Sequence, residues 1–359
     1  MTILCTSTNY FAQLLVDNSV AIEVVRPLNE MRWREWIRTW LRLFKEFINP
    51  EIVFCCGHQG DVHIRDLAAA WMFGSAVYAV VHRPLERPWS LHISNIVYGR
   101  IFSMLLTGVI AVSDEINKSC TRDFHMSPHK VSTCYNWSNP TFGIPSATER
   151  TEARQSLGIA STEVLIAFLG RLSPQKRIDA LLQSFAAITP NSDFPIKLGL
   201  FGDGWKRTAL TELTHTLQIE DRVCFFGWTS APWCALAACD IFVLPSVVEG
   251  FPLALIEAMA TGCACLAHPM ASTELLIENG THGVLADLSD TRSFATALQS
   301  LIACGPAARS KMGLAAAGRA ASEYSRARRL PSVLAALGIC AEFVPAFRLR
   351  TLEFKTGAL

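Results

Sequence analysis

Two carboxylates, Glu249 and Glu257, enclose seven residues in the run Glu-Gly-Phe-Pro-Leu-Ala-Leu-Ile-Glu. An ionised carboxylate only accepts hydrogen bonds, and one carboxylate can accept from two neighbouring hydroxyls. Upstream, Arg171 and Lys176 bracket Leu-Ser-Pro-Gln. A guanidinium forks onto phosphate oxygens, and an ammonium adds a point charge beside it. Fixed cations of this kind lower the barrier to departure of a diphosphate, which gains negative charge as it leaves. After Glu249, Gly250 permits close approach of the backbone to a ligand. The amides around Gly250, Phe251, Pro252 and Leu253 number three, because proline has none. Amides at a helix start favour anionic oxygens. Together these groups suit a ligand that is both polyhydroxylated and phosphorylated, such as a nucleotide-sugar.

The surrounding pattern says what must position them. The apolar run Ile241–Ser246 reads as a buried strand. Leu253 to Thr261 reads as a helix with Pro252 at its first position and Gly262 past its end. Glu249 then lies in the loop at a strand's carboxyl end and Glu257 about one turn into the next helix, where ligands of open α/β sheets bind. Further strands are expected at 164–169, 196–201, 223–226, 263–267 and 283–286. Helical patterns fill 177–188, 206–217, 232–238, 272–278 and 293–303. That alternation predicts a doubly wound parallel sheet. The first half repeats it more loosely, with strands at 22–25, 52–55, 77–81, 108–112 and 130–134. Ser138 to Thr148, rich in Pro, Ser and Thr, reads as the linker.

Several short segments carry a family resemblance. Gly170-Arg-Leu-Ser-Pro-Gln-Lys176, Phe201-Gly-Asp-Gly204, Val223-Cys-Phe-Phe-Gly227, the Glu249–Glu257 run, and Thr273-Glu-Leu-Leu-Ile-Glu-Asn-Gly280 occur in the order and spacing of the retaining glycosyltransferases of family 4. The resemblance is strong over 160–330 and weaker over 50–140. It implies a GT-B architecture: two Rossmann-like α/β domains facing each other across a cleft. Residues 1–145 would form the acceptor side and 146–325 the nucleotide-sugar side. A helical tail, 326–359, would cross back to the first domain. The resemblance further implies transfer with retention of anomeric configuration and no metal or other cofactor. It places Arg171 and Lys176 on the donor pyrophosphate, Glu257 on the ribose and Glu249 at the donor sugar. Gly170, Phe226, Gly227, Gly250, Phe251, Pro252 and Leu253 would line the donor. His82 ends the apolar run Tyr78–Val81, and resembles the histidine that faces the donor sugar from the acceptor domain. A lone histidine after a strand is otherwise a hydrogen-bonded structural residue.

The start departs from the family's pattern. No Gly-rich loop precedes the strand at Ile22, so Met1–Asn18 is expected either to compress the first strand–loop–helix unit or to begin inside it. This motivates a rival reading: a non-catalytic nucleotide-sugar-binding or scaffolding relative. Asn136 stands where the family has an N-G-V-D turn, but the Gly and Asp are missing, which leaves a turn residue. His58, Asp61 and His63 match no strong metal spacing. Trp33, Trp36, Trp40, Phe44 and Phe47 recur at helical spacing with Arg34, Arg38, Arg42 and Lys45 among them. That run suits a helix covering the first sheet, or one lying on a membrane surface and reaching a lipid-linked acceptor.

Composition excludes other classes. The chain has 359 residues, half of them hydrophobic and 18% charged, which describes large buried cores rather than disorder. Its net charge is +1, with 10 basic against 16 acidic residues over 146–304 and 9 against 3 over 305–359. No basic stripe with interleaved aromatics argues for nucleic acid. No G-x-G-x-x-G follows a strand, which argues against a dinucleotide dehydrogenase. The 12 cysteines include no C-x-x-C pair; Cys263 and Cys265 read as small core residues. The start lacks a signal-peptide pattern. A cytoplasmic location follows as an expectation, with peripheral contact at the inner membrane surface.

Overall fold

The computed structural model describes residues 2–5, 21–24, 52–56, 76–82, 95–189, 195–288 and 290–338. The chain forms two compact units: Asn136–Arg329, and Met1–Tyr135 together with Leu330–Leu359. Each holds one six-stranded, wholly parallel sheet.

In the larger unit the strands are β7 (Val164–Leu169), β8 (Ile196–Phe201), β9 (Val223–Gly227), β10 (Ile241–Leu244), β11 (Ala264–Ala267) and β12 (Val284–Leu285). Their order is β12-β11-β10-β7-β8-β9. Parallel strands need a covering layer on each face, and the burial follows the two-residue period of the strand. Ile166 and Phe168 join one apolar cluster with Leu181, Phe185, Phe294 and Leu298. Leu165 points into the other, with Ala153, Ala237 and Ala238. The first layer comes from the helices Ile178–Ile188 and Thr291–Ala303, the second from Ala147–Ser156 and Pro232–Ala238. Cys263 and Cys265 are buried at the start of β11.

The helix Ala147–Ser156 begins inside the stretch that reads as linker. Ser146 and Glu149 form a capping box: the Glu149 amide donates to Ser146 Oγ (3.2 Å) and the Ser146 amide to Glu149 Oε2 (2.8 Å). One turn on, Arg150 and Arg154 reach Asp240 at 2.6 and 3.0 Å, and the Leu165 amide donates to the same carboxylate at 2.8 Å. This cluster fastens the helix to the entry of β10. A second unforeseen helix, Gly305–Glu323, crosses close to the end of Leu253–Ala260. A Cβ on Gly313 would lie 1.9 Å from the Gly262 carbonyl oxygen, so only glycine allows the approach.

The smaller unit has the order β2-β1-β3-β4-β5-β6. Its strands are β1 (Thr2–Cys5), β2 (Ala21–Val24), β3 (Ile52–Cys56), β4 (Ala76–Val81), β5 (Gly108–Ala111) and β6 (Val131–Thr133). A strand therefore does precede the one at Ile22, and it pairs with both β2 and β3. The helix Asn95–Leu105 follows β4. The helix Arg326–Ala336 runs across the boundary between the units, and just past it the Tyr78 hydroxyl donates to the Leu337 carbonyl at 3.2 Å. Among the described residues no helix is long and apolar enough to cross a membrane. The aromatic run at 33–47, the knot of His58, Asp61 and His63, and the end of the tail lie outside the described residues.

Candidate functional site

The strand order of the larger sheet reverses between β7 and β10: β8 and β9 lie on one side, β11 and β12 on the other. Ligands of such sheets bind at this switch point, outside the carboxyl ends of the strands. The two loops that leave it are those read as chemical in the sequence. After β7 run Gly170, Arg171 and a 3-10 turn, Pro174–Lys176; after β10 runs the segment to Glu249. Their backbones are joined, the Val247 amide donating to the Gln175 carbonyl at 3.1 Å.

Across this seam Lys176 Nζ and Glu249 Oε1 form an ion pair, with side chains 20% and 14% exposed. Arg171 is exposed, and its guanidinium has no partner among the described residues. Arg177, next to Lys176, is held at φ 47°, a left-handed conformation unusual for a side chain that carries a Cβ. Ser173 and Ser246 are buried at the ends of β7 and β10, and their hydroxyls have no partner among the described residues.

The helix Leu253–Ala260 starts one residue later than the sequence suggests: Pro252 is its N-cap, at ψ 103°, not its first residue. Its carbonyl accepts from the amides of Leu255 and Ile256 at 3.2 and 3.3 Å. The amides of Gly250, Leu253 and Ala254 have no acceptor among the described residues, so the helix start keeps free donors. Phe251 is buried, with its ring tilted against Tyr324 at 5.7 Å between centroids. Its carbonyl accepts from the Asn136 side-chain amide at 2.9 Å. Asn136, expected to be a mere turn residue, is thus a buried brace for this loop. Glu257 stands on the second turn of the helix, half-buried, and no side chain donates to it among the described residues. Burial alone raises its carboxyl from 4.5 to about 7.

Toward the sheet edge, the loop ends are tied by backbone bonds. Gly170 N donates to Phe201 O (2.9 Å), Gly202 N to Gly227 O (2.7 Å) and Leu172 N to Asp203 O (2.9 Å). A Cβ on Gly202 would lie 1.9 Å from the Gly170 oxygen, which accounts for glycine in that turn. The Phe226 ring stacks on Phe201 at 4.5 Å, so it packs within the sheet end. Gly227 closes β9 at φ 76°. Trp205 and Trp228, on the loops after β8 and β9, are 73% and 77% exposed, and the sequence reading singled out neither. In the smaller unit, His82 directly follows the carboxyl end of β4 and is half-buried.

Comparison with known proteins gives these observations a family. Residues 149–319 match the group 1 glycosyl transferases. The UDP-Gal:alpha-D-GlcNAc-diphosphoundecaprenol alpha-1,3-galactosyltransferase of Escherichia coli is 29% identical over 194 residues, 54% of this chain and 50% of that protein. The D-inositol 3-phosphate glycosyltransferase of Rhodococcus jostii is 32% identical over 203 residues, 54% of this chain and 44% of its own. The chain thus matches about half the length of these curated relatives. Among solved structures, HepE of Anabaena in complex with UDP and glucose superposes with a TM-score of 0.77 at 17% identity. That match covers 94% of this chain and 99% of the other. It shows the fold, a GT-B α/β architecture with two Rossmann-like domains. Fold, motif order and the matched segment agree: residues 149–319 are similar to the group 1 glycosyl transferases, and the relatives matched there are glycosyltransferases.

Proposed function

We propose that the chain transfers a sugar from a nucleoside-diphosphate-sugar to an acceptor hydroxyl, with retention of anomeric configuration. The observation that carries this reading is the meeting of Lys176 and Glu249 at the switch point, with Arg171 beside them and the free amides of the helix start. A diphosphate needs cations and amides, and a sugar needs carboxylates, at adjoining positions. In this reading Arg171, Lys176 and the amides from Gly250 to Leu253 hold the diphosphate. Glu257 accepts from the ribose hydroxyls. Glu249 and His82 contact the sugar, and Gly170, Phe226 and Gly227 shape the donor side.

Departure of the diphosphate leaves an oxocarbenium-like sugar, as in glycosyl chemistry generally. Arg171 and Lys176 stabilise the charge that the leaving group gains. In this proposal the acceptor enters on the face from which the diphosphate leaves, and its hydroxyl proton passes to the departing diphosphate. The cations replace the divalent ion that other diphosphate chemistry uses, and no metal is part of this proposal. The relatives named above act on a diphospholipid-linked sugar and on an inositol phosphate. The acceptor here is accordingly a glycan, a lipid-linked sugar or a small hydroxyl compound. A lipid-linked acceptor would bring the protein to the inner surface of a membrane.

The test is a panel of nucleotide-sugars with the purified chain, read first as thermal stabilisation and then as release of nucleoside diphosphate. Uridine donors come first, because the E. coli relative uses UDP-galactose by name and HepE has also been solved with UDP-glucose. Stabilisation with turnover, and a product of the donor's anomeric configuration by NMR, supports the proposal. Stabilisation without turnover on any acceptor leaves a donor-binding protein, and an absence of stabilisation refutes the reading.

A further inference from the structure

The ion pair at the switch point joins two groups to which the proposed function gives different ligands. Lys176 is assigned to the diphosphate and Glu249 to the sugar, yet in this structure each is occupied by the other. Both are more than three-quarters shielded from solvent. The seam beneath them is fixed by the Val247 amide on the Gln175 carbonyl, so the pair is set by the backbone and not by two long side chains meeting in water. A diphosphate that arrives must therefore compete with the Glu249 carboxylate for Lys176. Arg171, exposed and unpaired among the described residues, faces no such competitor.

We infer that Glu249 is a specificity-determining residue, an internal competitor for Lys176 that makes the site prefer the intact nucleotide-sugar to the spent nucleoside diphosphate. The inference rests on the donor-site reading above. A sugar hydroxyl is a hydrogen-bond donor and an ionised carboxylate only accepts. When the donor binds, its sugar hydroxyls give Glu249 new partners as the diphosphate takes Lys176, so both charges stay satisfied. When nucleoside diphosphate alone binds, Lys176 is drawn away and Glu249 is left half-buried with no donor. That loss is the familiar cost of breaking a shielded ion pair from one side. Product then binds weakly and leaves, while substrate does not meet the same opposition. The role differs from a sugar contact alone, which would leave affinity for free diphosphate unaffected by the identity of residue 249.

The experiment measures affinity of the purified chain for UDP, for inorganic pyrophosphate and for UDP-glucose by calorimetry. Wild type is compared with Glu249→Gln, Glu249→Asp, Lys176→Met and the double variant Glu249→Gln/Lys176→Met, each checked for folding by circular dichroism. Glu249→Gln removes the competing charge at nearly constant shape. It is expected to bind UDP and pyrophosphate about 5-fold tighter or more, the scale of a modest ion pair. The gain should vanish in the Lys176→Met background, and the preference for UDP-glucose over UDP should shrink. Glu249→Asp, whose shorter carboxylate falls short of Lys176, should shift UDP in the same direction, and decides the matter should the glutamine variant not fold. Equal or weaker UDP binding in the Glu249 variants, with wild type binding normally, overturns the inference and leaves the donor-site reading standing. Failure of wild type and every variant to bind any nucleoside diphosphate or pyrophosphate overturns the donor-site reading itself, and this inference with it.

Discussion

Glu257 offers the sharpest test, because one substitution should move stability and affinity in opposite directions. Its carboxyl is raised from 4.5 to about 7 by burial. A raised carboxyl means that the folded chain holds the proton more tightly than the unfolded one. Below about pH 4.5 both states are protonated and the group contributes nothing to the difference. Between that value and about pH 7 the unfolded chain ionises first, so stability falls as pH rises, and the penalty is complete above the folded value. At about 1.4 kcal/mol for each tenfold step in acidity, the full penalty is about 3 kcal/mol. Glu257→Gln removes it. The ligand-free variant should therefore melt several degrees higher than wild type at pH 8 and nearly level with it at pH 4. Ribose hydroxyls donate more strongly to the ionised form, which accepts on both oxygens. At pH 6 roughly a tenth of the protein carries that form, so affinity for a nucleotide-sugar should fall by up to about 10-fold between pH 8 and pH 6. Each of its phosphates carries one ester and one anhydride link and has no second ionisation there, which makes it a cleaner ligand than free diphosphate. At pH 8 the variant should bind more weakly than wild type by about 1.5–3 kcal/mol. A wild-type affinity that stays flat from pH 6 to pH 8, or a variant that binds as well as wild type, refutes the assignment.

Three further outcomes are expected. Arg171→Ala and Lys176→Ala should each lower turnover by roughly 10²–10³-fold in a steady-state assay while the melting temperature holds; near-full turnover in either would remove the cations from the chemistry. Asp240→Ala should destabilise the larger unit by about 3–5 kcal/mol in urea denaturation, because Arg154, 9% exposed, would keep a charge with no carboxylate. His82→Ala should slow transfer without changing affinity for free nucleoside diphosphate by calorimetry, since His82 follows a strand of the other unit; an equal loss of diphosphate binding would assign it to the nucleotide instead.

Most of the larger unit was legible because its strands are short, apolar and closed by glycine or proline. The expected strand at 164–169 and helix at 232–238 match the observed elements residue for residue. What escaped did so for identifiable physical reasons. Ser146-x-x-Glu149 is a capping box in plain sight, but the prolines and serines around it carry a linker composition, and composition outweighed the motif. The helix Gly305–Glu323 has three glycines and a proline, Pro306, in its first turn, which speak against a helix on propensity. It forms because Gly313 and its neighbours let it press against the end of another helix, a tertiary reason invisible locally. The strand Thr2–Cys5 is four residues long, too short for periodicity to register, and parallel pairing on both sides supplies what its own sequence lacks.

The site shows a similar division between position and partnership. Strand ends and helix starts can be read from pattern, so the placing of Arg171, Lys176 and Glu249 after strand ends and of Glu257 on the helix that follows is legible in the sequence. Which group answers which could not be read. The Lys176–Glu249 pair depends on β7 and β10 being neighbours, and sequence order separates them by two intervening strands. The reversal of strand order at the switch point makes them adjacent, and a register across that seam brings the two loops together. Asn136 illustrates the same limit from the other side. Its family turn is broken, so its sequence context says little, yet its amide holds the Phe251 carbonyl from 115 residues away. A residue whose work is done through a partner so distant carries no local signal. The chemistry of this fold therefore lies less in the motifs taken singly than in the parallel sheet that makes distant motifs adjacent.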